Sequence, residues 1–284
     1  MPASTSDDAP GAFLRELVVP RRLRDARRSE RFSTIPPTVV PTRWGDVSAW
    51  RLGSGPAVLL VHGFEDDNSL WSYFVDELAA RGRAVVALDL PGHGESGGEW
   101  GMSFECTDAI VAVADALGPI DAVVAHSAGC GMTTAALGEG WIVDRAAFIA
   151  PPLAEGDRWL RKAATLGLPD HVALAAKAMY FEALGADRAA WRPRAAYRAL
   201  DVDLLIVHSR DYEHFPASDT EEVMATHRRA KLVLVNGLTH RRTARDSGVI
   251  KLVADFVTSR TPCSITASSP QLCGGTTSPS LEQR

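Results

Sequence analysis

The stretch that most constrains this chain is residues 121–131, where an apolar run passes through a serine into a segment of small residues. The run before Ser127 is short enough for a buried strand, and the residues after it suit a packed helix. A serine at such a strand–turn–helix junction, between Ala125 and Gly129, matches the turn that exposes a nucleophilic hydroxyl at the end of a sheet. The alternative interpretation is that Ser127 only caps the helix that follows it.

Strands and helices alternate on both sides of this turn. Strand-length runs that are largely apolar occupy residues 57–61, 84–89, 122–125, 146–150, 203–207 and 231–235. Helical patterns lie between most of them, and this spacing predicts an α/β fold with a mostly parallel central sheet and helices on both faces. Parallel sheets bind ligands at the carboxyl ends of their strands. Because His62, Asp89 and Ser127 all stand at such ends, the sequence predicts a site there.

The alternation divides the chain into four parts. Residues 1–36 are predicted to be an N-terminal extension that is partly disordered over its first eleven residues, and residues 37–151 and 203–260 form the core. Residues 152–202 contain no strand-like run and are predicted to form a lid of two or three helices. Residues 261–284 are rich in Ser, Thr, Pro and Gly, and we expect a disordered tail. The basic run at residues 21–28 is interpreted as a solvated helical face.

Composition limits the partners of the chain. The net charge of −5 argues against a general nucleic-acid surface, and no apolar run approaches the length of a membrane-spanning helix. The four cysteines lack the spacing of a zinc site, and two of them fall in predicted helices and two in the tail. A disulfide framework is therefore not expected, and we predict a cytoplasmic protein without metal or organic cofactor. The sequence does not indicate an oligomeric state.

The motifs together resemble the α/β-hydrolase fold superfamily, and the resemblance covers roughly residues 38–258. The segments that carry it are the serine turn, His62-Gly63, residues 89–96, Asp211 and His240. The resemblance implies a sheet of about eight strands, a lid after the sixth strand, and a nucleophile, an acid and a histidine in that chain order. Ser127, Asp211 and His240 meet this order. It also implies an oxyanion hole made by the backbone N–H groups of Phe64 and Ala128.

Several residues near these motifs have competing interpretations. A variation within the superfamily places the acid after the sixth strand, where Glu155 or Asp157 would compete with Asp211. His126 is interpreted as a neighbour that shapes the pocket, and His93 and Ser96 as structural residues of the loop after Asp89.

Two further features modify the resemblance. Ala125 replaces the first glycine of the serine turn, which weakens the motif slightly. Arg241 and Arg242 would lower the pKa of His240 if they lie close to it, or they would attract an anionic substrate.

The resemblance implies a carboxylesterase-like serine hydrolase that cleaves a small carboxylic ester or thioester through an acyl-enzyme. A serine nucleophile disfavours haloalkane dehalogenases and epoxide hydrolases, because those members use an aspartate. The same three residues would also serve a carbon–carbon bond hydrolase, an amidase or peptidase, or a cofactor-free perhydrolase. A non-catalytic binding protein of the same fold is the remaining alternative.

Overall fold

The structure is a computed structural model that describes residues 9–22, 30–102, 104–154, 156–185, 188, 191–212 and 214–259, without the side chains of residues 30 and 31. The predictions for Glu155, for most of the basic run and for the C-terminal tail lie outside the described residues.

Eight strands form one sheet in the order β1-β2-β4-β3-β5-β6-β7-β8. The strands are β1 (Thr38–Val40), β2 (Val47–Leu52), β3 (Ala57–Val61), β4 (Ala84–Leu88), β5 (Ile120–His126), β6 (Arg145–Ile149), β7 (Asp203–Ser209) and β8 (Ala230–Val235). Strand β2 pairs antiparallel with β1 and β4, and every other pairing in the sheet is parallel. The prediction of a mostly parallel sheet of about eight strands is confirmed.

Helices cover both faces of the sheet. They are α1 (Ala9–Val18), α2 (Glu30–Ser33), α3 (Ser72–Ala79), α4 (Phe104–Leu117), α5 (Ala128–Gly138), α6 (Arg158–Thr165), α7 (Asp170–Leu184), α8 (Pro193–Arg198), α9 (Ala217–Met224), α10 (His240–Thr243) and α11 (Ser247–Thr258), with a 3₁₀ turn at Asn68–Trp71. Helices α4, α5, α8 and α9 share one apolar cluster with the sheet, and α3 and α11 share the other.

Strand β3 shows why its sequence is apolar at every position. Leu59 and Val61 point into the cluster with α4 and α5, whereas Val58 and Leu60 point into the cluster with α3 and α11. Successive side chains of a strand face opposite sides of the sheet, so a strand that is covered on both sides has no polar face.

Two helices differ from their sequence predictions. The helix expected at residues 221–228 is α9, which begins four residues earlier, directly after Pro216, and ends at Met224. Pro216 is the residue before the first helical one, and a proline is tolerated at the start of a helix because no intrahelical hydrogen bond needs its missing N–H there. At the N-terminus, residues 9–11 were expected to be disordered but belong to α1.

Helix α1 is ordered by packing rather than by its own sequence propensity. It buries Phe13, Leu14, Leu17 and Val18 in an apolar cluster with helices α6 and α7, and the ring of Phe13 meets that of Trp159 edge-on at 6.4 Å. Helices α6, α7 and α8 lie between β6 and β7, where the sequence predicts the helical insertion. The N-terminal segment therefore packs onto this insertion.

Candidate active site

Ser127 stands in a strained turn between strand β5 and helix α5. Its backbone has φ 53° and ψ −127°, a conformation that residues other than glycine rarely adopt. The N–H of Ser127 donates to the carbonyl oxygen of Ile149 on the neighbouring strand at 2.9 Å, which fixes the turn to the sheet edge. The side chain of Ser127 makes no N-cap hydrogen bond to α5, so the helix-cap interpretation is wrong.

Two glycines give this turn the space it needs. A Cβ atom on Gly129 would lie 2.3 Å from the carbonyl oxygen of His62, and one on Gly63 would lie 2.8 Å from the Cβ of Ser127. Both positions therefore require glycine. Ala125 is different because it lies within strand β5, where it is fully buried and pairs with Val61, so its methyl group fits.

The structure brings Ser127 and His240 together. The Nε2 atom of His240 lies 2.8 Å from the Oγ of Ser127. For the serine hydroxyl to donate to this nitrogen, neutral His240 must carry its proton on Nδ1. Burial is the main cause that lowers the pKa of His240 to about 4, and His208 and Arg241 lower it further. His240 is therefore a neutral base near pH 7.

The structure does not join Asp211 to His240. Asp211 follows strand β7, is exposed, and accepts a hydrogen bond from the N–H of Gly237 at 2.5 Å. The buried Nδ1 of His240 has no hydrogen-bond partner among the described residues. The alternative acid Asp157 caps helix α6 and pairs with Lys177.

Two aromatic side chains contact His240, and the sequence analysis gave a role to only one of them. The ring of Tyr212 stacks on the imidazole with 4.4 Å between the ring centroids. The ring of His126 lies at 4.7 Å, and its Nε2 donates to the carbonyl oxygen of His240 at 3.2 Å. Burial lowers the pKa of His126 to about 3, so it is neutral and fits the predicted role of a neighbour. The sequence feature that could have indicated a role for Tyr212 is its position just after the carboxyl end of β7.

The loop after strand β3 carries the predicted oxyanion donor Phe64, and two histidines hold it. The Nε2 of His62 accepts from the N–H of Leu90, and the Nε2 of His93 accepts from the N–H of Glu65, both at 3.0 Å. Each ring must then carry its proton on Nδ1. These protons are donated to the carbonyl oxygens of Gly63 at 2.7 Å and Pro91 at 2.9 Å, respectively. Burial lowers the pKa of His93 to about 3, so this histidine stays neutral.

The second predicted donor, Ala128, is the first residue of α5. The first N–H groups of a helix have no acceptor within the helix, and its N-terminus carries partial positive charge. The N–H of Ala128 is thus available to an anion next to Ser127.

The loop after strand β4 is built around the buried carboxylate of Asp89. Its two oxygens accept from the N–H groups of Asn68 and Glu95, each at 2.8 Å, and burial raises its pKa. Ser96 donates to the carbonyl oxygen of Asp89 and accepts from the N–H of Ser48. These contacts agree with a structural interpretation of the loop.

Three arginines tie the loops together. Arg22 is exposed, as expected for the basic run, but it also donates to carbonyl oxygens of the loop after β4. The backbone N–H of Arg21 donates to the side chain of Glu65 at 3.3 Å. Arg241 donates to the carbonyl oxygen of Glu65 at 2.5 Å and lies 3.5 Å from the carboxylate of Asp66.

The described part of the chain shows neither a metal cluster nor a membrane helix. Within the described ranges, no group of three His, Cys, Asp or Glu side chains is placed so that it could hold a metal ion. None of the described helices combines the length and apolar character needed to cross a bilayer.

Solved structures share this fold. An esterase of Pyrococcus furiosus superposes with a TM-score of 0.65 and 17% identity, over 85% of this chain and 97% of that one. An esterase of Exiguobacterium antarcticum gives a TM-score of 0.62 and 15% identity, over 78% of this chain and 100% of that one. At these identities the likeness concerns the fold.

Relatives of known sequence match over short stretches. The bifunctional epoxide hydrolase 2 of Sus scrofa is 39% identical over 64 residues, which are 21% of this chain and 12% of that protein. The pimeloyl-(acyl-carrier protein) methyl ester esterase of Methylococcus capsulatus is 50% identical over 44 residues, 16% of this chain and 17% of that protein. The matches thus span less than a fifth of either relative.

The model of the alpha/beta hydrolase family matches residues 58–251, from strand β3 into helix α11. This range is more than half of the chain and includes the serine turn and His240. The chain therefore belongs to the alpha/beta hydrolase family.

Proposed function

We propose that this chain is a serine hydrolase that cleaves a small carboxylic ester or thioester through an acyl-enzyme. The observation that carries the proposal is the 2.8 Å contact between the Oγ of Ser127 and the Nε2 of His240, at a serine held in a strained turn. A serine hydroxyl is a weak nucleophile near neutral pH and is activated by a base within this distance.

The reaction begins when the Oγ of Ser127 attacks the substrate carbonyl and its proton passes to the Nε2 of His240. The carbonyl oxygen becomes an oxyanion, which the N–H groups of Phe64 and Ala128 stabilise. Protonated His240 gives its proton to the leaving alcohol or thiol, and the acyl group stays on Ser127. A water molecule, deprotonated by His240, then attacks the acyl-enzyme. The bond between the acyl carbon and the Oγ of Ser127 breaks, His240 returns the proton to that Oγ, and the carboxylic acid leaves.

The helical insertion contacts the helix that follows Ser127. Its Trp191 ring reaches the first turns of α5, where a Cβ on Gly131 would lie 3.8 Å from the ring. Trp191 also meets Phe104 edge-on at 5.7 Å. One large apolar side chain of the insertion thus reaches the helix that follows Ser127, in keeping with the proposed lid.

Asp211 remains the sequence-based candidate for the triad acid, and the observed contacts give it no link to His240. The alternatives of a carbon–carbon bond hydrolase, an amidase or peptidase, or a perhydrolase use the same serine and histidine. A binding protein of this fold is less well supported, because a non-catalytic chain has no need of a serine–histidine contact at a strained turn.

A cytoplasmic location is part of the proposal. Cys106 and Cys130 are both buried and unpaired, and burial raises the pKa of each thiol, which makes them unreactive. Two buried free thiols fit a reducing compartment.

The test is labelling by a fluorescent fluorophosphonate, which reacts only with an activated serine. We expect the wild type to be labelled and Ser127→Ala and His240→Ala not to be labelled. Ser218→Ala, at an exposed serine of helix α9, is the matched control and should label like the wild type.

A panel of p-nitrophenyl esters and acyl thioesters of two to twelve carbons then defines the acyl preference. We expect the short chains to be cleaved fastest. A folded wild type that takes no label and cleaves no member of the panel would contradict the proposal and favour a binding protein.

A further inference from the structure

Three successive peptide groups of the loop after strand β3 are each held by a side chain. The Nδ1–H of His62 donates to the carbonyl oxygen of Gly63 at 2.7 Å. The N–H of Glu65 donates to the Nε2 of His93 at 3.0 Å. The Nη2 of Arg241 donates to the carbonyl oxygen of Glu65 at 2.5 Å. Side chains from three separate segments of the chain therefore fix the backbone of this loop.

These contacts decide where the predicted oxyanion donor points. We call residues 62–66 the oxyanion loop. The carbonyl oxygen of Gly63 and the N–H of Phe64 belong to one planar peptide group, so fixing the first fixes the direction of the second. The next residue, Glu65, has φ 54°, a left-handed conformation that costs free energy for a residue with a side chain. The hydrogen bonds on both sides of Glu65 hold the loop in this unfavourable conformation.

Arg241 makes its contact from the turn that carries the base. It directly follows His240 in helix α10. Its guanidinium also lies 3.5 Å from the carboxylate of Asp66, whose side chain is 8% exposed. A guanidinium is planar and can hold an acceptor at each of two nitrogens, and a hydrogen bond from a charged donor is stronger than a neutral one. Arg241 thus joins two adjacent residues of the oxyanion loop to the turn of His240.

We propose that Arg241 is a positioning residue that ties the turn of His240 to the oxyanion loop, so that the base and the oxyanion donor keep one arrangement around Ser127. The inference rests on the proposed acyl-enzyme function. The Nε2 of His240 lies 2.8 Å from the Oγ of Ser127, and it must stay there while the N–H of Phe64 faces the substrate oxygen. A displacement of about 1 Å in such a group can lower the rate on the order of 10²-fold. A side chain that spans both segments opposes such a displacement.

The same contacts decide between two roles that the sequence left open for the arginines after His240. The charge of Arg241 lowers the pKa of His240, and its guanidinium is engaged by the oxyanion loop. Since the carboxylate of Asp66 lies beside it, this guanidinium is a weak site for a further anion. The next residue, Arg242, is exposed, and it provides a control for the loss of one positive charge.

The experiment compares Arg241→Met and Arg241→Lys, with Arg242→Met as the matched control. For each variant we would measure kcat and KM for p-nitrophenyl acetate, the pH profile of kcat/KM, and the Tm. We expect Arg241→Met to lower kcat about tenfold with little change in KM, a fraction of the roughly 10²–10³ lost when an oxyanion donor is removed outright. Arg242→Met should behave like the wild type.

The pH profile is a readout that a loss of stability alone would not move. The described side chains with titratable or charged groups that face the imidazole are those of Arg241, His208, His214, Tyr212 and His126. Removing the charge of Arg241 raises the pKa of His240, so the acid limb of Arg241→Met should lie at higher pH than that of the wild type. Arg241→Lys keeps the charge but not the planar fork, so its acid limb should stay in place while kcat recovers in part.

A double variant tests whether Arg241 and His93 hold the same loop. Both bond to backbone groups of Glu65, so once one contact is lost the loop is displaced and the loss of the other matters less. We expect His93→Leu with Arg241→Met to lose less kcat than the product of the two single losses. His93→Leu with Arg242→Met should lose only what His93→Leu loses.

The inference is overturned if Arg241→Met keeps the kcat of the wild type, if Arg242→Met loses as much, or if the acid limb of Arg241→Met does not move. It is also overturned if the double variant shows the full product of the single losses. If Arg241→Met does not fold, Arg241→Lys decides, and a kcat equal to that of the wild type overturns the inference.

Fluorophosphonate labelling separates this result from the proposed function. A wild type that takes no label, or a Ser127→Ala variant that labels equally, contradicts the proposed function, and the role of Arg241 fails with it. If only the role of Arg241 is wrong, the labelling of Ser127 in the wild type stays intact.

Discussion

The side chain of His93 holds the backbone of Glu65, with its Nε2 3.0 Å from the N–H of that residue. Glu65 has φ 54° and directly follows Phe64, whose N–H is the predicted oxyanion donor. The ring of His93 also meets the ring of Phe64 edge-on at 5.6 Å. A residue of the loop after β4 therefore sets the position of the loop after β3.

We predict that His93→Leu lowers kcat by about tenfold, a fraction of the roughly 10²–10³ lost when an oxyanion donor is removed outright. The loop would move but the donor would remain. The measurement is kcat and KM on p-nitrophenyl acetate. His93→Gln, whose amide oxygen can accept the bond from Glu65, should retain more activity, and equal losses in both variants would contradict the prediction.

Gly94 is required by the buried carboxylate of Asp89. It has φ +45°, and a Cβ atom there would lie 2.0 Å from the Oδ2 of Asp89. We predict that Gly94→Ala lowers the free energy of unfolding by more than about 3 kcal/mol, since backbone strain and a clash with a buried group add together. Urea denaturation would measure the loss.

Gly82→Ala is the matched control for this substitution. Gly82 also has a positive φ, of +71°, but nothing lies within 4 Å of a Cβ there. Gly82→Ala should lower the free energy of unfolding by only about 1 kcal/mol, which is the strain of the left-handed conformation. Similar losses at Gly82 and Gly94 would show that the clash with Asp89 is relieved.

The pH dependence of activity should follow His240. Its pKa is lowered to about 4, so the imidazole is neutral, and able to accept the serine proton, at every pH well above 4. We predict that kcat/KM is flat from pH 8 to pH 5.5 and falls below that as His240 becomes protonated. If the base had the usual histidine pKa of about 6.5, kcat/KM would already fall below that pH. An acid limb near 6.5 in a kcat/KM profile would contradict the observed environment of His240.

The sequence predicted the parts of the site that depend on chain order. Ser127 and His240 could be paired in advance because the resemblance implies a histidine after the last strand, and the carboxyl ends of parallel strands share an edge of the sheet. The direction of the Asp211 side chain could not be predicted, because an exposed carboxylate can turn to any nearby donor, and here the N–H of Gly237 is that donor. Tyr212 was missed because ring stacking has no sequence pattern of its own.

The contacts of Arg22 could not be predicted for a related reason. The basic run was interpreted from its charge alone. The guanidinium of Arg22, however, donates to backbone carbonyl groups some 70 residues away. Every residue has such a carbonyl group, so the sequence does not indicate which of them will be acceptors. The Nη1 of Arg22 donates to the carbonyl oxygens of Gly94 at 2.9 Å and Ser96 at 2.7 Å. Its Nη2 donates to that of Gly98 at 3.2 Å.

We predict that Arg22→Met lowers the free energy of unfolding by on the order of 1–2 kcal/mol, because several carbonyl groups lose a charged donor at a partly exposed site. Arg21→Met is the matched control, since its side chain is 78% exposed and lies 3.7 Å from Glu65 as an ion pair of little energetic weight. Urea denaturation of both variants measures the difference. Arg22→Met should also lower kcat modestly, because the loop that it holds carries His93 and through it the backbone of Glu65. Equal stability of the two variants would show that Arg22 does not hold this loop.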